Sequence, residues 1–376
     1  MSCGYFKLSL VLAGSSYALC VPAETTNNAK PDAYAISDHY DGERFLNLES
    51  STLSHQQHHK FSFSGWLSGW VFGHDWPEWP EYIDEPPGPV PAKKIEDGKL
   101  RITSVGHSTF LIQMDGINFL TDPIWSERAT PVSGFGPKRH RAPGIRFSDL
   151  PPIDVVLVSH SHYDHLDMPT LEQLAEKFHP RAFSGLGNRE LIAETDMKSV
   201  DEMDWWQTLP VAKNLAITFV PAQHFSGRSL WDRDETLWGG FVISGPSGHV
   251  FYAGDTGYGS HFEEIGKRFP GIRLAVLPIA PVRPDILNST PRKGSGNHMG
   301  AEEAFLAHKD LKAWRSVACH FNTFQLIGDE YDYGPKHLVK VLAANGVDVG
   351  MFMALFFGQP LDVPRLPDTP VENPVH

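Results

Sequence analysis

Residues 160–167 read HSHYDHLD, directly behind the apolar run VVLV. Three imidazoles and two carboxylates thus crowd the end of what reads as a buried strand, where packing asks for none of them. Imidazole nitrogen and carboxylate oxygen together suit zinc, iron or manganese, with zinc favoured. The spacing H-x-H-x-D-H does not fit a helical site, whose ligands stand at i and i+4. A tight turn at a strand end can instead aim such side chains in two directions.

Other apolar runs end the same way. His224 closes NLAITFVPAQH, Asp255 follows HVFYAG and His320 closes RSVACH. With His160, His162, Asp164 and His165 these exceed what one tetrahedral ion takes, and they suit two ions that share a carboxylate and a water. The reading places His160, His162 and His224 on one ion and Asp164, His165 and His320 on the other, with Asp255 between. Two divalent ions ~3.5–4 Å apart acidify the water they share and offset charge on a substrate oxyanion. The plainer alternative is a set of hydrogen-bonded polar residues without metal. Burying so many adjacent ionisable groups unpaired would be costly.

The elements that must position these residues follow from periodicity. LRITSVGHSTFLIQM and INFLTDP are β-rich runs joined by Asp115-Gly116, a hairpin signal. IDVVLVSH, NLAITFVPAQH, HVFYAGDTG, LAVLPI, RSVACH and GMFMALFFG read as further strands. MPTLEQLAEKF, with Pro169 in its first turn, GAEEAFLAHKDL and PKHLVKVLAANG, closed by Gly346, read as helices. Hairpins mixed with β–α alternation predict mixed sheets covered by helices, over residues 98–360.

Net charge is −13, which argues against a nucleic-acid partner, since a polyanion is held by a basic surface. Three cysteines make no disulfide framework. Residues 1–23 carry one lysine and the run LSLVLAGSSYALCVPA, too short for a comfortable membrane span and similar to a secretory leader. A surface-lying arm fits the same residues. Residues 24–60, including SHQQHHK, read as a polar, mobile stretch. Residues 61–97 carry Trp66, Trp70, Trp76 and Trp79 among prolines. They read as an extended arm docked on the body, with a membrane-facing or dimer role as the sharper version. Residues 361–376 read as a tail.

The longer strings carry a resemblance. HSHYDH resembles the metal motif of the metallo-β-lactamase fold hydrolases. LTDPIWSERATPVSGFGPKRHR, FVPAQHFSGRSLWDRDETLWGGF, FYAGDTGYGSHFEEIGKRFPG and HMGAEEAFLAHKDL are similar to the N-acyl-phosphatidylethanolamine-hydrolysing phospholipase D branch, over roughly Trp66 to Gly358. The resemblance implies an αββα four-layer sandwich, two Zn2+ in the grouping above and a phosphodiester substrate cleaved to phosphatidic acid and N-acylethanolamine. It also implies that His298 is a pocket residue in contact with substrate rather than a ligand. Asp164, Asp255 and His298 are then the catalytic candidates. A phospholipid partner at a membrane surface follows, with the cytoplasmic or exported side and a homodimer left open. CHFNTF departs from the branch pattern HWGTF at Phe321 and Asn322, which puts the substrate, not the metal, in question.

Some supporting residues carry two readings. Asp122 in LTDP orients a ligand imidazole or starts a turn before proline. His107 is a structural pocket residue. Asp167 caps the following helix or holds a ligand. Arg128, Lys138, Arg139, Arg141 and Arg146 meet phosphate headgroups or form local ion pairs. Arg228, in the long run after His224, contacts phosphate. Rival functions are a hydrolase of the same fold acting on a lactone, cyclic nucleotide or β-lactam, and a non-catalytic metal-bearing envelope protein.

Overall fold

Two seven-stranded sheets stack face to face, and helices cover both outer faces. This is seen in a computed structural model that describes residues 34–48, 76–282 and 296–366, apart from residues 97 and 133, together with the backbone of two N-terminal strands. Those strands, β1 (Phe6–Leu12) and β2 (Ser15–Val21), pair antiparallel and stand apart from the main sheets. The stretch SHQQHHK, Trp66, Trp70 and the last ten residues of the tail lie outside the described residues.

The first sheet holds β3 (Leu100–Gly106), β4 (Thr109–Met114), β5 (Ile117–Thr121), β6 (Val155–Val158), β7 (Arg181–Gly185) and β8 (Ser199–Met203). The second holds β9 (Thr208–Ala212), β10 (Leu215–Val220), β11 (Gly240–Gly245), β12 (Gly248–Tyr252), β13 (Ile272–Pro278), β14 (Ser316–Cys319) and β15 (Phe352–Met353). A last strand, β16 (Pro360–Asp362), returns to pair with β3. Both sheets are mixed: β3 to β5 and β9 to β12 pair antiparallel, β5 to β8 and β12 to β15 parallel. Helices α1 (Met168–Phe178) and α2 (Arg189–Ala193) cover the first sheet; α3 (His261–Arg268), α4 (Ala301–Asp310) and α5 (Tyr333–Ala344) cover the second. Among the described residues no helix is long and apolar enough to cross a membrane.

Period-two alternation sorts the side chains. Val155, Leu157, Val250 and Tyr252 enter the inter-sheet core, while Val156 and Val158 meet α1 and Phe251 meets α3. Asp115 and Gly116 both have positive φ (49° and 76°), as the tight β4–β5 turn requires. In α1, Leu171, Leu174 and Ala175 form the buried stripe, and His179 ends the helix in the left-handed region just before Pro180. Leu174, fully buried, contributes about 1.5–3 kcal/mol by leaving water. The run GMFMALFFG departs from its expected strand. Only Phe352 and Met353 pair, against Ser316 and Val317. The chain then leaves the edge, exposing Phe356 and burying Phe357 in the helix-side core.

Three glycines knot distant parts of the chain together. Gly88 N donates to Gly144 O, and Gly144 N donates to Val105 O; Gly358 N donates to Ser104 O. A Cβ on Gly88 or Gly144 would lie closer than 3.0 Å to the backbone of Gly358. Residues 361–364 are also held: Arg273 donates to Pro364 O at 2.8 Å and to Val363 O.

Residues 34–48 lie against the second sheet and the loop after His224. Tyr40 and Phe45 join the inter-sheet core. His39 stacks on Trp205 at 4.5 Å and contacts Asp204 at 2.7 Å and Asp38 at 2.6 Å. Burial opposes its charge, but the two carboxylates outweigh burial and raise the imidazole above its ordinary value of 6.5. A raised value means that this contact stabilises the fold fully below the unfolded value and fades as pH rises through the folded one. His39→Gln is therefore expected to melt below the wild type near pH ~6 and to converge with it near pH ~9. Melting curves at the two pH values check this; an equal gap at both would refute it.

Candidate metal centre

The strands that carry ligand-type residues all point one way. β5 and β6 run parallel, as do β12 and β14 through β13. β10 is antiparallel to β11, as is β12, so β10 and β12 also agree in direction. Asp122, His160, His224, Asp255 and His320 follow β5, β6, β10, β12 and β14, and their side chains converge at one edge of the sandwich.

The convergence forms two clusters. His160, His162 and His224 bring ligand atoms together, and so do His107, Asp164, His165 and His320. In the first, His160 Nε2 and His162 Nδ1 are 2.8 Å apart, and His224 Nε2 is 3.3 Å from the same Nδ1. In the second, Asp164 Oδ2 lies 3.4 Å from His165 Nε2 and 3.5 Å from His320 Nε2. Asp255 Oδ2 joins the clusters, 3.1 Å from His165 Nε2, 3.0 Å from His320 Nε2 and 3.8 Å from His224 Nε2. His298 groups with His224 and Asp255, its Nδ1 3.7 Å from Asp255 Oδ2.

The other ring nitrogens are held from behind. Asp122 Oδ2 accepts from His165 Nδ1 at 2.6 Å, Ser159 Oγ at 2.6 Å and Tyr252 Oη at 2.5 Å, and Asp122 Oδ1 accepts from Ser159 N at 2.7 Å. Ser159 Oγ in turn contacts His160 Nδ1 at 2.9 Å. Asn297 O takes His224 Nδ1–H at 2.8 Å. Each contact fixes a tautomer and leaves Nε2 facing the cluster. His107 Nε2 contacts Asp164 Oδ2 at 3.0 Å, so His107 orients a carboxylate.

Burial opposes charge on every member of the group, and their mutual fields then divide them. His160 and His224 are pushed well below the ordinary imidazole value by burial and then by neighbouring imidazoles, for His224 against the pull of Asp255. Burial takes His162 and His298 down to about 4. For His165 and His320 burial is outweighed, first by Asp255; His165 rises well above the ordinary value and His320 to about 9. Burial would raise Asp164 and Asp255, but the facing imidazoles, His165 first, hold both well below the carboxylate range.

A cation fits this donor set. Nε2 of His165, Nε2 of His320, Nδ1 of His298 and Oδ1 of Asp255 are buried without a hydrogen bond of acceptable geometry. Orphaned ligand-type atoms at the meeting point of two imidazole–carboxylate clusters are costly unless a positive ion satisfies them.

Several sequence expectations look different in place. Asp167 stands at the N-cap position of α1 but makes no side-chain cap. Its carboxylate accepts from Ser126 Oγ at 2.7 Å and Thr170 Oγ1 at 2.5 Å, tying the 124–128 loop to the helix. Arg228 is committed to scaffolding: Nη1 donates to Ser161 O and Leu166 O, and the guanidinium covers the Tyr163 ring at 3.9 Å. The five cations near residue 140 do not form one surface. Arg139 and Arg141 are buried, over Phe324 and Phe357, and Arg141 pairs with Glu85. Asn322, which replaces the glycine of the branch pattern, has φ 54°, a conformation asparagine tolerates better than most residues. Ser159, Tyr252 and the Asn297 carbonyl were not foreseen. Ser159 and Tyr252 had a faint signal, as polar groups on or just after strands that run into ligands.

Fold and site together define a metal-dependent hydrolase of the metallo-β-lactamase type. The family model for the beta-lactamase superfamily domain matches residues 117–321, and the chain belongs to that superfamily. Within it, the chain stands with homologues of N-acyl-phosphatidylethanolamine-hydrolysing phospholipase D. One such protein from Caenorhabditis elegans is 32% identical over 250 residues, 64% of this chain and 68% of the relative. A mitochondrial one from Saccharomyces cerevisiae is 34% identical over 272 residues, 70% of this chain and 56% of the relative. A metal-dependent hydrolase of Methanopyrus kandleri is 30% identical over 257 residues, covering 66% and 94%. A solved metallo hydrolase from Ignicoccus hospitalis superposes with TM-score 0.52 at 23% identity, over 70% of this chain and 98% of that one. That likeness bears on the fold alone.

Proposed function

We propose that the chain is a two-zinc phosphodiester hydrolase of phospholipase D type, cleaving N-acyl-phosphatidylethanolamine to phosphatidic acid and N-acylethanolamine. The observation that carries the reading is the pair of clusters meeting at Asp255, in a chain whose worm and yeast relatives bear that activity in their names. His160, His162 and His224 would hold one ion and Asp164, His165 and His320 the other, with Asp255 between the two groups. When bound, the ions supply a water of lowered pKa and positive charge for the non-bridging phosphate oxygens. Asp122, with Ser159 and Tyr252, holds His165 in one tautomer. His298 stands at the rim, with 26% of its side chain accessible. Burial keeps it neutral, so one ring N–H can hydrogen-bond the leaving oxygen or orient the water that protonates it.

A bilayer-facing mouth is supported by two loop tips. Leu230 and Trp231 are 53% and 80% exposed, and Val132 and Phe135 37% and 60%. Tyr163, between His162 and Asp164, donates to Arg228 O in one loop and packs against the Ile124–Ala129–Phe324 cluster, which includes a residue that leads into the other.

The test is hydrolysis of N-acyl-phosphatidylethanolamine vesicles beside a water-soluble phosphodiester and a lactone, with zinc present or chelated. Zinc-dependent turnover that favours the vesicles is expected; preference for either soluble compound would sink the lipid assignment. His298→Ala is expected to lower turnover about 10²–10⁴-fold with metal content unchanged. Loss of metal in that variant, by elemental analysis, would place His298 among the ligands.

A further inference from the structure

His224 sits four residues beyond the end of β10, just past an isolated bridge in which Gly257 N donates to Gln223 O at 2.8 Å. Its own N–H and carbonyl are held by a side chain far away in sequence. Asn47 Nδ2 donates to His224 O at 2.7 Å, and His224 N donates to Asn47 Oδ1 at 3.0 Å. Among the described residues no other group meets that N–H or that carbonyl. One carboxamide thus exchanges two hydrogen bonds with one residue, as a neighbouring strand does in an antiparallel ladder. Asn47 is fixed in turn: Trp238 Nε1, which donates to Ala222 O at 3.0 Å, also reaches Asn47 Oδ1 at 3.2 Å. Two residues upstream, Phe45 is buried in the core and its N–H donates to Asp234 O at 2.8 Å, in the loop that follows His224.

The imidazole of His224 is therefore aimed from two sides. Asn297 O sets its Nδ1, Asn47 sets the backbone from which the ring projects, and Nε2 faces His162 and Asp255. Residue 47 lies well ahead of residues 117–321, which match the superfamily domain.

We propose that Asn47 is a positioning residue of the metal centre, and that residues 34–48 complete the cluster His160–His162–His224 from outside the family domain. Rotating an imidazole by a small angle spoils its lone-pair direction toward an ion, and groups that orient ligands are worth about 10–100-fold in metal affinity. Asn47→Ala should weaken zinc binding by about 10-fold at one of two sites and leave the other within about twofold. His39→Gln, which loosens the same segment without touching His224, should leave both sites within about twofold of wild type.

The experiment titrates zinc into the full chain against a chelator, for wild type, Asn47→Ala and His39→Gln, and records the visible spectrum of the cobalt-loaded proteins. The expected result is selective weakening of one site and a shifted cobalt spectrum in Asn47→Ala alone. Wild-type affinity at both sites with an unchanged spectrum would overturn the proposal, whatever the variant's melting temperature. Should Asn47→Ala not fold, Trp238→Phe keeps the aromatic bulk and removes the indole N–H that steadies Asn47. It should weaken the same site about threefold, and unchanged binding there would overturn the proposal equally. The inference rests on the metal reading above, yet the two fail differently. Wild-type protein that binds no zinc sinks the metal centre; zinc-loaded wild type with an indifferent Asn47→Ala sinks only the role of Asn47.

Discussion

Asp255→Ala is expected to abolish zinc-dependent hydrolysis, by at least ~10³-fold, because it removes several kcal/mol of ion-derived transition-state stabilisation. The reason lies in one oxygen. Among the described residues, Asp255 is the one carboxylate paired within 4 Å with imidazole nitrogens of both clusters, through Oδ2. Its loss leaves His165 and His320 facing each other with less negative charge between them and opens the meeting point of both ligand sets. Every other ligand belongs to one cluster, so its loss should spare the opposite site. The measurement is steady-state turnover together with zinc per chain by elemental analysis. Activity within ~10-fold of wild type, or two zinc ions still bound at wild-type affinity, would show that Asp255 does not join the sites.

Gly144→Ala is expected to cost about 3 kcal/mol of stability, near the top of the range for forced overpacking. The new methyl would meet the backbone of Phe357 and Gly358 rather than a side chain that could rotate away. The arm around Gly88 presses on Gly358 as well, so neither neighbour can yield without moving the other. Gly346→Ala is the natural control. Unlike Gly144 it has positive φ, 67°, and nothing lies within 4 Å of its would-be Cβ. It should cost about 1 kcal/mol, the backbone penalty alone. Thermal melts of the two variants separate the effects: a fall of about 5–10 °C is expected for Gly144→Ala and a few degrees at most for Gly346→Ala. Equal falls would mean that the junction has room to relax.

The ligand positions were legible because strand ends announce themselves: an apolar run stops and a histidine or aspartate follows, as at His160, His224, Asp255 and His320. Their grouping was an expectation about space; the structure brings His160, His162 and His224 together and sets His107 beside Asp164, His165 and His320. The hairpin at Asp115-Gly116 was legible because two successive positive φ angles restrict which residues can stand there. What could not be read was long-range pairing. Asn47 and His224 are 177 residues apart, and a carboxamide has no preference for one main chain over another. The Asn297 carbonyl is carried by every residue type and leaves no trace in a sequence. Arg228 shows the same limit. A guanidinium near a ligand motif reads as an anion clamp, and the two carbonyls that its Nη1 holds leave no mark in the sequence. Ser199–Met203 and Thr208–Ala212 escaped notice because, at the edges, only one face of each strand need be apolar.

The pairing of β16 with β3 has a consequence for how the protein is made. Arg101 and Asp362, joined across that pair, are 261 residues apart. A ribosome adding ~5–20 residues per second leaves the outer rim of β3 bare for about 13–52 s after that strand emerges. Throughout that interval the nascent polypeptide carries an open row of amide and carbonyl groups, a template on which other chains can aggregate. Yield in a cell should therefore depend on chaperone supply and on growth temperature more steeply than the stability of the finished molecule would indicate.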